Sequence, residues 1–331
     1  MWLAEKYGEC PWFFETKPYT GYNLPSGFQQ ERFMKIGYPC VNNSIGCSSG
    51  RTFRLRSYSD ERFAETVRGN LDCLARMLDF NARHGILFFR ICSGLIPFAS
   101  HPVCRFRWQV FFREKFEAIG GLMRERGMRI SMHPDQFILI NTPDKRVFLN
   151  SLRELEYHAA ALDLFCLDES AKVQIHVGGV YGDKAGSMRR FLDRYSDLPN
   201  EIKKRLVIEN DDRSWTVEDC LCISNESGIP VVFDNLHNKV NPCGLSDREA
   251  LLLASAAWGG RNGLPIIDYS QGSQTGPRGS HAATMDIRKF KRFLEETRPA
   301  DFDVMLEIKD KEASALRAIR AASGDDRFMR Q

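Results

Sequence analysis

The sequence lacks the marks of a secreted, membrane-spanning or disordered protein. No apolar run approaches the roughly 18–20 residues that cross a bilayer, and no basic stretch followed by an apolar core marks a signal peptide. Neither sign of charge dominates, since 46 Lys and Arg stand against 43 Asp and Glu. This balance excludes a polybasic tail and an acidic disordered segment. We therefore expect a folded cytoplasmic protein, and a local basic patch would still allow a nucleic-acid partner.

The cysteines do not form a recognisable framework. All ten are scattered along 331 residues, and no Cys-x-x-Cys pair occurs. Cys220 and Cys222 are the closest pair, and they fall within a helical pattern. Because a core of this size needs no disulfide bonds, the sequence predicts reduced thiols that pack as small apolar side chains.

Two further absences concern the fold. No Gly-x-Gly-x-x-Gly turn follows a strand, which disfavours an open dinucleotide-binding sheet. No low-complexity linker or internal repeat divides the chain. Residues 1–33 are rich in aromatic residues and proline, and we expect them to form an arm that packs on a single domain over residues 34–331.

From residue 34 onward, short apolar runs typical of buried parallel strands alternate with stretches of helical periodicity. The predicted strands are Met34–Tyr38, Ile86–Ile91, Met128–Met132, Val173–Val177, Leu206–Glu209, Pro230–Asp234, Leu264–Tyr269 and Asp303–Ile308. The predicted helices are Asp60–Arg83, Trp108–Arg126, Arg146–Leu167, Ser187–Tyr195, Thr216–Ser227, Asp247–Trp258, Met285–Thr297 and Ala313–Ala322. Eight strands that are each followed by a helix predict a (β/α)₈ TIM barrel, with an open doubly wound sheet as the alternative.

Most of the predicted strands end in a histidine or a carboxylate. These residues are His133, His176, Glu209, Asp234, Asp268 and Glu307, with His237 shortly after the sixth strand and His101 and His281 in loops after the second and seventh. In a barrel the C-terminal strand ends converge on one face, where active sites lie. A strand-end carboxylate can instead cap a helix, a role for which Asp60 and Asp212 are better candidates than Glu209 or Asp234.

Histidines and carboxylates at one height predict a metal site, because ionised carboxylates repel one another unless cations compensate. Such mixed ligands suit Zn²⁺ or Mn²⁺. Glu209 could bridge two ions, which would activate water and stabilise the leaving oxygen in phosphoryl transfer. His84 and His158 lie within helical patterns, and we assign them no function.

The loops after the strands also carry residues suited to DNA. Exposed Gln136 beside the aromatic Phe137 could fill the gap left by a flipped nucleotide, although Phe137 alone would be interpreted as a core residue. Arginines in these loops, such as Arg51 and Arg278, could contact phosphates.

Short motifs between about residues 34 and 312 make the chain similar to the UV damage endonuclease family. The motifs are Gly37-Tyr38-Pro39-Cys40, Phe89-Arg90-Ile91, the IPFASHP run from Ile96 to Pro102, Ser131-Met132-His133-Pro134, the HVGGVYG run from His176 to Gly182, Glu209-Asn210-Asp211, Asp234-Asn235-Leu236-His237, Gly279-Ser280-His281-Ala282 and Val304-Met305-Leu306-Glu307. Each motif is short, but their number and order make the resemblance specific.

The resemblance implies a TIM barrel that binds two or three divalent ions, with Mn²⁺ in first place and Zn²⁺, Mg²⁺ or Co²⁺ as alternatives. It implies incision of double-stranded DNA immediately 5′ of cyclobutane dimers and (6-4) photoproducts, with abasic sites as a further substrate. We expect a monomer that acts at the nucleoid without a membrane or an obligatory protein partner.

The resemblance also implies roles for individual residues. One ion would be held by His133, His176 and Glu209, a second by Glu209, Asp234, Asp268 and Glu307, and a third by His237 and His281. Glu209 and His101 would be catalytic. Tyr38, Asn42 and His101 would lie near the flipped lesion, and Gln136 and Phe137 would wedge into the duplex.

Two positions depart from the family pattern. Phe137 stands where the family usually has tyrosine, and Ile266-Ile267-Asp268 stands where it usually has Lys-x-His. Because Ile266 cannot bind a metal, the third ion is in question. A two-metal sugar isomerase and a lesion-binding protein that does not cleave DNA are the alternatives to a nuclease.

Overall fold

The computed structural model describes residues 33–135 and 137–328. Eight parallel strands form a closed barrel in which each strand pairs with the next and the last pairs with the first. They are β1 (Ile36–Pro39), β2 (Phe88–Ile91), β3 (Arg129–Met132), β4 (Lys172–His176), β5 (Leu206–Glu209), β6 (Val231–Asp234), β7 (Ile266–Tyr269) and β8 (Asp303–Leu306). The predicted TIM barrel is confirmed.

Helices follow the strands and form the outer layer. They are α1 (Asp60–Arg83), α2 (Trp108–Phe111), α3 (Arg113–Glu125), α4 (Lys145–Leu164), α5 (Lys184–Ser196), α6 (Asn200–Lys203), α7 (Val217–Ser227), α8 (Asn235–Val240), α9 (Asp247–Ala256), α10 (Ile287–Glu296) and α11 (Glu312–Ala322). The single helix predicted over Trp108–Arg126 is interrupted at Phe112, and the short helices α6 and α8 were not predicted. In the described part of the chain, no helix has both the length and the apolar character needed to span a bilayer.

The barrel interior explains why carboxylates cluster at one end. A buried apolar plug is built from alternate strand residues, namely Phe88, Val207, Val232, Ile266 and Met305, together with Trp258. Side chains two positions apart on a strand share a face. The residues one layer above the plug are therefore Arg90, Glu209, Asp234, Asp268 and Glu307. Strand periodicity thus places a charged layer directly on an apolar one.

Two helix caps differ from the predictions. Ser59, one residue before Asp60, caps α1 by accepting a hydrogen bond from the Arg62 amide. Thr216 caps α7, so Asp212 does not. Both predictions were wrong because a capping oxygen must come from the residue that directly precedes the first helical turn.

The expectation of reduced thiols is wrong for one pair of cysteines. Cys47, in the loop after β1, forms a disulfide with Cys73 of α1 across 26 residues of sequence. The fold brings this loop onto α1, a proximity that cysteine spacing does not reveal. Cys220 is free and fully buried, in agreement with apolar packing.

The predicted N-terminal arm falls on residues 1–33, all of which except Phe33 lie outside the described residues. Its packing against the barrel stays a prediction.

Candidate metal centre

The predicted ligands come from neighbouring strand ends. His176 and Glu209 end β4 and β5 and are paired in register, as are Asp234 and Asp268 on β6 and β7. His133 directly follows β3. These five side chains therefore lie at the C-terminal ends of neighbouring strands, above the apolar plug.

Glu209 is the central residue, and its carboxylate contacts three histidines. Its Oε2 lies 3.3 Å from Nε2 of His133 and 3.8 Å from Nε2 of His176. Its Oε1 lies 3.0 Å from Nδ1 of His237. Ligand atoms of His133, His176 and Glu209 all lie within 4.8 Å of one another, as do those of Glu209, Asp234 and His237. One carboxylate is thus shared by two potential metal-binding groups.

One of the two carboxylate oxygens of Asp234 caps a helix, and the other is left for a different partner. Its Oδ1 caps α8 by accepting hydrogen bonds from the amides of Leu236 and His237, each 2.7 Å long. The prediction that Asp234 is a poor cap candidate is wrong, because β6 passes into α8 with no intervening loop. The cap fixes the first turn of α8 and with it the position of His237.

Two buried polar atoms in these groups have no hydrogen-bond partner. They are Nδ1 of His176 and Oδ2 of Asp234. An unpaired buried polar atom costs about 1–3 kcal/mol, so each is a candidate for a bond to a ligand. One belongs to each of the two groups that share Glu209. Imidazole and carboxylate donors suit Mn²⁺ and Zn²⁺, and the residues present therefore fit two divalent ions.

The charges in the centre perturb one another. Burial raises the pKa of Glu209, but the nearby His176 and His133 hold it well below its usual range. Burial lowers the pKa of His237, yet Asp234 and Glu209 raise it to about 11. Burial raises the pKa of Asp234 well above its usual range, against the opposing charge of His237. The centre therefore favours bound positive charge.

Two residues that sequence analysis did not assign lie among the carboxylates. Arg90 of β2 donates from Nη2 to both oxygens of Asp268, each at 2.8 Å, and from Nη1 to Glu307. Gln174 of β4 donates to Glu209 at 2.6 Å and to Asp268 at 2.7 Å. Both could have been identified from the sequence, because the two-residue period of a strand places them on the inward faces of β2 and β4.

His281 stands apart from the two groups around Glu209. Its Nε2 lies 3.6 Å from Oε2 of Glu307. A third group joins Asp234, Asp268 and Glu307, and in the described ranges no such group contains His281. His237 and His281, predicted to share an ion, thus contact different carboxylates.

The residues predicted to meet the lesion differ in their exposure. Tyr38 and Asn42 are buried, and the Tyr38 hydroxyl accepts from Asn42 and donates to Asn81, each at 2.8 Å. His101 is exposed, and its Nδ1 accepts from the Val103 amide at 3.0 Å. Phe137 is 72% exposed, which excludes the core role considered for it. Gln136 lies outside the described residues. Contacts of these residues with DNA stay predictions.

Known proteins resemble this chain over most of its length. A family model described as UV-endonuclease UvdE matches residues 34–328. The chain is 38% identical over 290 residues to the UV DNA damage endonuclease of Clostridium perfringens. The aligned region covers 87% of this chain and 70% of that protein. The chain is 31% identical over 302 residues to the Bacillus cereus UV DNA damage endonuclease, with coverages of 88% and 95%. The crystal structure of SacUVDE matches with a TM-score of 0.85 and 42% identity, covering 89% of this chain and all of that one (100%).

Proposed function

The chain belongs to the UV-endonuclease UvdE family, and we propose that it cuts DNA immediately 5′ of UV photoproducts with divalent ions held around Glu209. Family membership makes it a DNA repair hydrolase for UV damage. It also sets aside the sugar isomerase and the non-cleaving binding protein. The incision position, the lesion types and the metal dependence are the proposed parts.

The observation that carries the proposal is the position of Glu209 between two sets of ligands. His133 and His176 lie on one side of its carboxylate, and Asp234 and His237 lie on the other. A carboxylate shared in this way suits a two-ion centre for phosphodiester hydrolysis. When bound, the ions supply Lewis-acid chemistry that activates water and stabilises the leaving oxygen.

Backbone carbonyls orient two of the histidines. Nδ1 of His133 donates to the carbonyl of Pro134 at 2.8 Å, and Nδ1 of His237 donates to that of Asn210 at 2.9 Å. The nitrogen must be the donor in each pair, because a carbonyl oxygen can only accept. Such bonds set the tautomer and the ring orientation of metal-binding histidines. The bond to Pro134 leaves Nε2 of His133, which faces Glu209, free for a ligand role. Nδ1 of His237 lies between the Asn210 carbonyl and Oε1 of Glu209, so the same two contacts fix the orientation of that ring.

The substrate side of the proposal depends on Phe137. This exposed ring follows His133 by four residues, and we propose that it inserts into the duplex with Gln136. Tyr38, Asn42 and His101 are proposed to lie near the extruded lesion, and His101 to assist Glu209 in catalysis. The proposal includes Mn²⁺ as the ion and a monomer acting at the nucleoid in the cytoplasm.

The decisive experiment is a nicking assay with a mapped product. A duplex with one central thymine dimer is incubated with purified protein and Mn²⁺. We expect a single nick immediately 5′ of the dimer, and none with EDTA or with the undamaged duplex. A nick elsewhere contradicts the incision position, and nicking in EDTA contradicts the metal dependence.

A further inference from the structure

Arg90 carries a permanent positive charge inside the predicted ligand set. The residue is 2% exposed, and its guanidinium reaches Asp268, Glu307 and the side-chain oxygen of Gln174, the last at 2.9 Å. A guanidinium does not lose its proton in proteins. The positively charged side chain of Arg90 therefore lies between two carboxylates that were predicted to bind a metal ion.

The hydrogen bonds of Asp268 differ from those of Asp234. Oδ2 of Asp268 accepts from both Arg90 and Gln174, and Oδ1 accepts from Arg90. Oδ2 of Asp234 is buried and accepts from no group. A hydrogen bond between a guanidinium and a carboxylate is roughly twice as strong as one between neutral groups. Asp268 is thus satisfied by the chain itself, whereas Asp234 requires a further partner.

The residue beneath Asp268 cannot supply a ligand. Ile266 points into the apolar plug, where it packs with Phe88 and Met305. His281 lies beside Glu307 but belongs to no group of three potential ligands among the described residues. Asp234, Asp268 and Glu307 form a third group of potential ligands, but Asp268 and Glu307 already bind the guanidinium of Arg90. The Asp268 side of the centre therefore offers a cation fewer donors that are free of a guanidinium than the Glu209 side.

Charge balance leads to the same conclusion. The charged layer contains the buried carboxylates of Glu209, Asp234 and Asp268, the half-buried carboxylate of Glu307 and the buried guanidinium of Arg90. With neutral histidines, two divalent ions leave one excess positive charge, and three leave three. Uncompensated buried charge is strongly unfavourable. Two ions thus suit this set better than three.

We propose that the guanidinium of Arg90 takes the place of a metal ion between Asp268 and Glu307, so that this chain binds two divalent ions and not three. Arg90 is a positioning residue, and Asp268 acts as its anchor instead of as a metal ligand. The inference rests on the metal dependence within the proposed function.

The test counts ions and compares two aspartates. Full-length protein is equilibrated with excess Mn²⁺, and the bound ion is measured by mass spectrometry and calorimetry. We expect two ions per chain. Asp268→Asn should keep both, with dissociation constants within about twofold of the wild type. The matched variant Asp234→Asn should lose one ion or bind it at least 10-fold more weakly, the scale of losing an interaction at a metal site.

The outcomes separate this inference from the proposed function. Three ions in the wild type, or the loss of an ion in Asp268→Asn, overturns the inference. Arg90→Met should bind a third ion if it folds, and if it does not fold, the two aspartate variants decide. Nicking is scored separately. Nicking with three ions bound refutes only the inference, and two bound ions without nicking refute only the proposed function.

Discussion

Oε1 of Glu209 lies 3.0 Å from Nδ1 of His237. This contact joins the last residue of β5 to the first turn of α8. It depends on Asp234, which caps that turn. The central carboxylate and the helix that carries one of its partners are thus linked through a single capping residue.

Replacing Glu209 with glutamine should abolish nicking while the fold is kept. The amide has the shape of the carboxylate but lacks the negative charge that faces three histidines. We expect activity to fall by about 100-fold or more and bound Mn²⁺ to decrease. Glu154→Gln, a change at a partly buried glutamate of α4, is the control and should nick normally. A fully active Glu209→Gln would contradict the bridging role.

Asn210→Ala should weaken metal binding, because the Asn210 side chain holds the backbone of Asp234 in place. Asn210 accepts from the Asp234 amide at 2.9 Å and donates to its carbonyl at 3.1 Å. We expect a loss of about 2 kcal/mol in the free energy of unfolding and about 10-fold weaker Mn²⁺ binding by calorimetry. The control is Asn70→Ala, since Asn70 is buried and bonds the backbone of Arg51 away from the centre. Equal Mn²⁺ affinity in the two variants would show that Asn210 has no such role.

Phe137→Ala should impair cleavage of the dimer duplex. Stacking of an aromatic ring on a base contributes about 1–3 kcal/mol, so we expect kcat/KM to fall about 10-fold. Phe137→Tyr should retain activity because the ring remains. Phe111→Ala removes another exposed ring, from α2, and serves as the control. Unchanged kinetics for Phe137→Ala would rule out the wedge.

His158 should make the protein sensitive to acid. It is fully buried in α4, donates from Nδ1 to the Glu154 carbonyl at 2.7 Å, and burial lowers its pKa to about 4. The unfolded chain binds a proton near pH 6.5, whereas the folded chain does not, so stability is lost as pH falls from about 6.5 to about 4.

The measurement for His158 is urea unfolding at several pH values. Between pH 7.5 and pH 5 this residue should remove about 2 kcal/mol from the free energy of unfolding. His158→Gln should lose correspondingly less over that range, while His84→Gln, at an exposed histidine, should follow the wild type. Parallel curves for wild type and His158→Gln would disprove this origin of the acid sensitivity.

The barrel and its ring of carboxylates could be predicted because both depend on local order in the chain. Alternation within one strand, as in Val207 and Glu209 of β5, places an apolar residue in the plug and a polar one above it. The same two-residue step relates Val232 to Asp234 on β6. The family motifs indicate which chemistry the site performs, because they identify the strand ends that carry histidine.

The pairing of Arg90 with Asp268 was decided only by the tertiary structure. The two residues are separated by 178 positions and meet because the barrel closes. The disulfide between Cys47 and Cys73 and the burial of Tyr38 likewise depend on how loops and helices pack. A residue's own strand determines which face its side chain occupies. Its partner across the barrel depends on closure and on side-chain conformation, which no local pattern encodes.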